Sequence, residues 1–261
     1  MNPNTSNKEP QKAAFERLLV IMDELRLQCP WDKKQTWESL SPLSIEELYE
    51  LTDAIESGNK KDIKGELGDL FLHLVFYSKI AEEEGEFDVA DVLNTICEKL
   101  IARHPHIYGD LVLEDAEAVK QNWEKLKLKE GRTSVLEGVP KALPALIKAT
   151  RIQDKVAKVG FDWDNKADVW AKVLEELQEF DETQTQNFEQ HKAEEEFGDL
   201  LFALVNYARF ANIDPETALR KANNKFTTRF QYIEQHAKPS IAELNLQQME
   251  ALWQEAKKTG L

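Results

Sequence analysis

The chain has 261 residues, enough for one large domain or two ordinary ones, and 42% of them are apolar, enough for a sizeable core. Asp and Glu total 48 against 33 Lys and Arg, and the resulting net charge of -15 argues against binding nucleic acid polymers or anionic membranes. The two cysteines, Cys29 and Cys97, belong to no CxxC or Cys/His cluster, which argues against a zinc site or a disulfide framework.

The opening stretch MNPNTSNKEPQKA is polar and has no signal-peptide core, so residues 1–11 read as a flexible leader. No apolar run approaches membrane-spanning length, so a cytoplasmic protein is expected. Helical periodicity then runs nearly without interruption, alternating β patterns are missing, and the expected class is all-α. A first helix at 11–27 stops at Cys29-Pro30. Ser41-Pro42 breaks the chain ahead of a helix at 43–57, and Ser57-Gly58-Asn59 separates that helix from one at 60–84. Helices at 88–103 and 115–130 follow, divided by His104-Pro105, where His104 and His106 read as capping or turn residues. Gly138, Pro140 and Pro144 punctuate a linker at 136–145. Helices are then expected at 142–159, 166–184, 189–211, 215–237 and 246–258, with Asp214 as an N-cap before Pro215.

An internal repeat organises these elements. GELGDLFLHLVFY at 65–77 matches EEFGDLLFALVNY at 195–207, and Glu46-Glu47-Leu48-Tyr49-Glu50 matches Glu175-Glu176-Leu177-Gln178-Glu179. Trp31-Asp32 matches Trp163-Asp164, Lys99 and Arg103 match Lys225 and Arg229, and Trp123 and Lys127 match Trp253 and Lys257. The order is the same in both halves. The chain therefore reads as two homologous modules, 12–135 and 146–261.

Each module carries E-E-x-x-E and then E-x-x-D, and residues three or four apart share a helix face. On 43–57 the apolar face is Ile45, Leu48, Leu51 and Ile55, and Glu46, Glu47 and Glu50 point away from it, as on any solvated helix. The second motif is more telling. Glu66 and Asp69 head the run Leu70 to Tyr77, and Glu196 and Asp199 head Leu200 to Val205, both apolar nearly all round and expected to be buried. Carboxylates opening a buried helix need compensation, and converging carboxylates suit a hard divalent cation.

E-E-x-x-E, a spacer of 15 or 16 residues, and E-x-x-D resemble the all-α NTP pyrophosphatase superfamily. The tandem arrangement, CPWDKKQTW at 29–37 and VGFDW at 159–163 resemble its MazG family, over about residues 12–258. That resemblance implies a helical-bundle homodimer that cleaves nucleoside triphosphates to monophosphate and pyrophosphate with Mg²⁺, or Mn²⁺ in its place. It implies that Glu176, Glu179, Glu196 and Asp199 are metal ligands, with Glu47, Glu50, Glu66 and Asp69 their counterparts in module one. Glu175, Glu176 and Glu179 are the candidates for catalysis, and which Glu takes the proton of the attacking water stays open.

Lys221, Asn224, Lys225 and Arg229 form one stripe of a helix and suit a polyphosphate. Trp253 suits base stacking or core packing, and Lys127 suits a reach into a site of the other module or subunit. The modules differ: Lys221 aligns with Thr95, Asn224 with Glu98, Asn206 with Phe76, and Ala203 with His73, which reads as a core histidine. Module two is thus the better equipped for catalysis. The leading expectation is broad NTP hydrolysis serving nucleotide-pool control or house-cleaning. A narrow dUTP, dCTP or oxidised-nucleotide pyrophosphatase, and a nucleotide-binding regulatory protein without turnover, stand as alternatives.

Overall fold

The computed structural model describes residues 8–113, 115, 118, 119, 122, 134–184 and 189–261, and among them every regular element is helical. None of these helices is long and apolar enough to cross a membrane. The chain divides into two compact units, Met1–Lys127 and Leu128–Leu261.

The first unit holds α1 (Glu9–Gln28), a 3₁₀ turn at Asp32–Lys34, α2 (Trp37–Ser57), α3 (Lys60–Glu84), α4 (Val89–Arg103) and α5 (Pro105–Tyr108). Caps fix these helix ends. Pro10 in the first turn starts α1 at Glu9, so residues 9–11 are helical rather than part of the expected leader. The Thr36 side chain accepts from the Ser39 backbone N–H, and the Ser39 hydroxyl accepts from the Thr36 N–H, a complete capping box. That box starts α2 at Trp37, ahead of the expected 43, and the helix runs through Pro42. Proline forfeits one bond to the Glu38 carbonyl, and Glu38 is exposed, so water can satisfy it. Gly58 ends α2 in the left-handed region at φ 72°, and Asn59 caps α3.

α1 and α2 both pack on α3, around a core of Met22, Leu40, Val75, Phe76 and Ile80. Two expectations about this region need correction. α3 is not buried all round: Leu67, Phe71 and Leu74 are exposed. The expected inner face of α2 is also largely exposed at Ile45, Leu48 and Ile55. α1 and α2 cover only the Val75–Phe76–Ile80 side of α3, and Leu40 and Ala54 are the buried positions of α2.

The second unit repeats this plan with α6 (Ala145–Ala157), α7 (Lys166–Thr183), α8 (Gln190–Phe210), α9 (Pro215–His236), a 3₁₀ turn at Ile241–Glu243 and α10 (Leu246–Lys258). Asn165 caps α7, and Asp214 caps α9 with Pro215 in its first turn. α6 and α7 pack on α8, as α1 and α2 pack on α3, and α9 packs on α6 and α10. The core is thinner: Val173, Leu200 and Ala203, flanked by Phe180 and Tyr207. The expected linker is tied to this unit, because buried Lys155 donates to the carbonyls of Val135 at 3.0 Å and Glu137 at 2.9 Å. Most of the helix expected at 115–130 lies outside the described residues.

Candidate active site

In module two the hairpin of α7 and α8 brings Glu176, Glu196 and Asp199 together, with one carboxylate oxygen of each within 4.8 Å of the others. Glu196 and Asp199 are one turn apart on α8, and Glu176 meets them from α7. Glu176 is buried, which few carboxylates tolerate without a partner. Its partner is Lys172, one turn earlier on α7, whose Nζ lies 2.7 Å from Glu176 and 2.8 Å from Glu175. Hydrogen bonds to Glu175 and Glu176 push the Lys172 ammonium up, which keeps it charged. Glu179 lies outside the group of three but within its field. Desolvation, and then repulsion by Glu176 and Glu196, raises its carboxyl above the usual range.

Module one assembles Glu47, Glu66 and Asp69 in the same way. Desolvation, then Asp69, Glu50 and Glu46, pushes up Glu47, while desolvation and Glu50 lead the rise at Glu66. Glu50 thus stands to this cluster as Glu179 stands to the other. The repeat sets Leu43 against Lys172, so the equivalent position offers this cluster no cation. His73 is the core histidine that was expected: it is buried, its Nδ1 lies 3.1 Å from the Ser44 hydroxyl, and Ser44 is 2.8 Å from the Tyr77 hydroxyl.

Each cluster offers three oxygen donors and no nitrogen or sulfur, the donor set of a hard divalent cation. Desolvation leads the rise at Glu47, Glu66 and Glu179, and the crowding of negative charge that a cation relieves adds to it.

Beside the module-two cluster lies a cavity of about 590 Å³, within the ~300–1,000 Å³ of small-molecule sites. Phe161, Trp163 and Phe202 line it together with Lys172, Glu176 and Asp199. Arg209, also on its wall, is ion-paired with Asp162 and donates to Asn206 Oδ1.

The basic stripe lies on a different helix of the unit. Lys221, Asn224 and Lys225 are exposed on α9, which packs on α6 and α10, whereas the triad belongs to α7 and α8. Arg229 is half-buried, donates to the Leu261 carbonyl at 2.7 Å and lies 5.5 Å from the centre of the Trp253 ring. Trp253 also packs on Phe226 at 5.1 Å, consistent with a packing role. Trp123 and Lys127 lie outside the described residues.

Sequence reasoning missed three residues of this site. Lys172 was detectable, because a lysine three and four residues ahead of two glutamates on a helix pairs with them. Gln153 and Arg209 carried no such signal, since their partners lie 49 and 47 residues away.

A model of the MazG nucleotide pyrophosphohydrolase domain matches residues 35–108 and 165–233. The nucleoside triphosphate pyrophosphohydrolase of Escherichia coli (strain K12) is 43% identical over 255 residues, covering 94% of this chain and 97% of that protein. The nucleoside triphosphate pyrophosphohydrolase/pyrophosphatase MazG of Thermotoga maritima is 44% identical over 251 residues, covering 93% of this chain and 95% of that one. The protein YabN of Bacillus subtilis (strain 168) is 47% identical over 253 residues, which are 94% of this chain and 52% of that protein.

Proposed function

The chain belongs to the MazG nucleotide pyrophosphohydrolase family, and we propose that it hydrolyses nucleoside triphosphates to monophosphate and pyrophosphate, with Mg²⁺ as the cation, broad tolerance of base and sugar, and module two as the catalytic module. The observation that carries this reading is the Glu176–Glu196–Asp199 triad beside a cavity of nucleotide-accommodating size. Glu176, Glu196 and Asp199 would hold the cation, with Glu179 completing the set or taking a proton. The cation, when bound, neutralises the polyphosphate leaving group and acidifies the attacking water. Glu179, whose carboxyl is raised above the usual range by desolvation and by its acidic neighbours, is assigned to accept that water's proton. Lys172 holds Glu175 and Glu176 in place and keeps a positive charge beside the phosphates. Lys221, Asn224, Lys225 and Arg229 are assigned to phosphate, and Trp253 orients Arg229 through its ring face. The same reading makes the protein a homodimer acting on the free nucleotide pool.

Release of pyrophosphate rather than phosphate from several NTPs tests the reaction. Excess chelator should abolish turnover and Mg²⁺ or Mn²⁺ should restore it. Full activity in chelator would remove the cation from the mechanism, and binding without turnover would make the protein a nucleotide sensor.

A further inference from the structure

We propose that the cavity beside the module-two triad is the nucleobase subsite, and that Gln153 and Asn206 read the edge of the base. The proposal rests on the hydrolase reading above and adds to it where the base goes and what recognises it.

Gln153 is the central observation. It lines the cavity, is only 4% exposed, and donates from Nε2 to the Phe202 carbonyl at 2.8 Å. A carbonyl only accepts, so the orientation of this amide is fixed and Oε1 is the free end. That Oε1 is buried and has no hydrogen-bond partner. A buried acceptor left unpaired costs free energy, and its presence beside a cavity marks a place for a ligand's donor.

Asn206 supplies the complement. Its Oδ1 accepts from Arg209 Nε at 3.2 Å and Nη2 at 2.9 Å, and Asp162 in turn holds Arg209. The amide is thereby oriented with Nδ2 left to donate. An acceptor and a donor on one cavity suit the pairing edge of a base, where a ring or amino N–H stands beside a ring nitrogen or carbonyl. Adenine, cytosine, guanine and uracil all present that pair, so the arrangement demands a base without choosing one. Phe161 and Trp163 add apolar faces for stacking.

Module one serves as an internal control. Met22-Asp23 aligns with Gln153-Asp154, and Phe76 aligns with Asn206. Met22 and Phe76 are 1% and 2% exposed and belong to one core cluster. The same helical plan, with the same kind of acidic cluster, closes its core with apolar side chains at both places. The fold does not need the polar pair, which leaves recognition as the reason module two has it.

The test uses Gln153→Met and Asn206→Phe in the full chain, the residues that module one itself carries. Michaelis constants are measured for ATP, CTP and the base-free ribose 5-triphosphate. Each substitution should raise KM for the NTPs about tenfold more than KM for ribose 5-triphosphate, with kcat little changed. Calorimetric binding of AMP should weaken in parallel, and circular dichroism should confirm a folded chain. An equal effect on all three substrates, or none, would overturn the proposal. So would a base-selective rise in KM from Trp253→Leu, which would put the base on α10. Failure of the wild type to turn over any triphosphate, with AMP still bound in a Gln153-dependent way, would sink the hydrolase reading and leave the subsite standing.

Discussion

Glu179 and Glu50 occupy equivalent places in the repeat, and each is coupled to an acidic cluster. Their surroundings differ, because Lys172 stands by the Glu176 cluster and Leu43 by the Glu47 cluster. Glu179→Ala should therefore lower NTP turnover by about 100-fold, while Glu50→Ala keeps most of it. Turnover of the two purified variants decides the matter, with circular dichroism as the folding control; a dead Glu50 variant would move the active site to module one. The raised carboxyls also set a pH dependence. Glu47, Glu66 and Glu179 are harder to ionise in the folded protein than in the unfolded chain, so at neutral pH their charges subtract stability. That penalty is removed as pH falls through their raised values. Glu83 and Asp162 act oppositely, since Arg26 and Arg209 hold them below the usual range, and their stabilisation is lost once they are protonated. The Tm of metal-free protein should rise as the pH falls from neutrality through the raised carboxyls, and fall again once Glu83 and Asp162 are protonated below the ordinary carboxylate range. Saturating Mg²⁺ should flatten the rise, and a Tm that falls steadily from pH 7 would contradict it.

At the scale of helices, the caps separate stability from catalysis. The Asp214 side chain accepts from the Thr217 backbone N–H at 2.7 Å and starts α9, the helix that carries the basic stripe. Asp214→Ala should cost about 1 kcal/mol in chemical denaturation and leave kcat unchanged, because no phosphate contact is assigned to that turn. A large fall in kcat would show that the start of α9 belongs to the site. This cap was legible in the sequence, as was nearly every helix, because caps and 3.6-residue periodicity are local. The start of α2 was not. Pro42 reads as a break, and only the capping box at Thr36 and Ser39, with Leu40 buried in the core, carries the helix past it. The carboxylates were legible because their spacing along a helix fixes their common face. The cavity was not, since it depends on Gln153 and Phe202 meeting across two helices. Nor was the exposed side of α3. Periodicity shows that a helix is apolar all round, but not how many neighbours are present to cover it.

The whole molecule leaves the same apolar surface open twice. On α3 the exposed stripe is Leu67, Phe71 and Leu74, and on α8 it is Phe197, Leu201 and Leu204, at matching positions of the repeat. Ile45 and Leu48 on α2 have exposed counterparts in Leu174 and Leu177 on α7. Scattered exposed apolar residues are ordinary, but stripes at i, i+4 and i+7 on two adjoining helices form a face, and faces of this kind mark association sites. These stripes lie on the two helices that carry each acidic cluster, so covering them would also shield the carboxylates from bulk water. A second copy of the chain offers the same surfaces and can meet them in a symmetric, self-complementary interface. Light scattering should therefore give about twice the 30.0 kDa chain mass. Phe71→Glu with Leu201→Glu should shift the mass toward one chain, because a charge in the centre of an apolar interface is left unpaired. Dissociation should lower turnover along with the mass. A wild type that stays fully active at 30.0 kDa when diluted would show that one chain suffices and that these stripes serve another purpose.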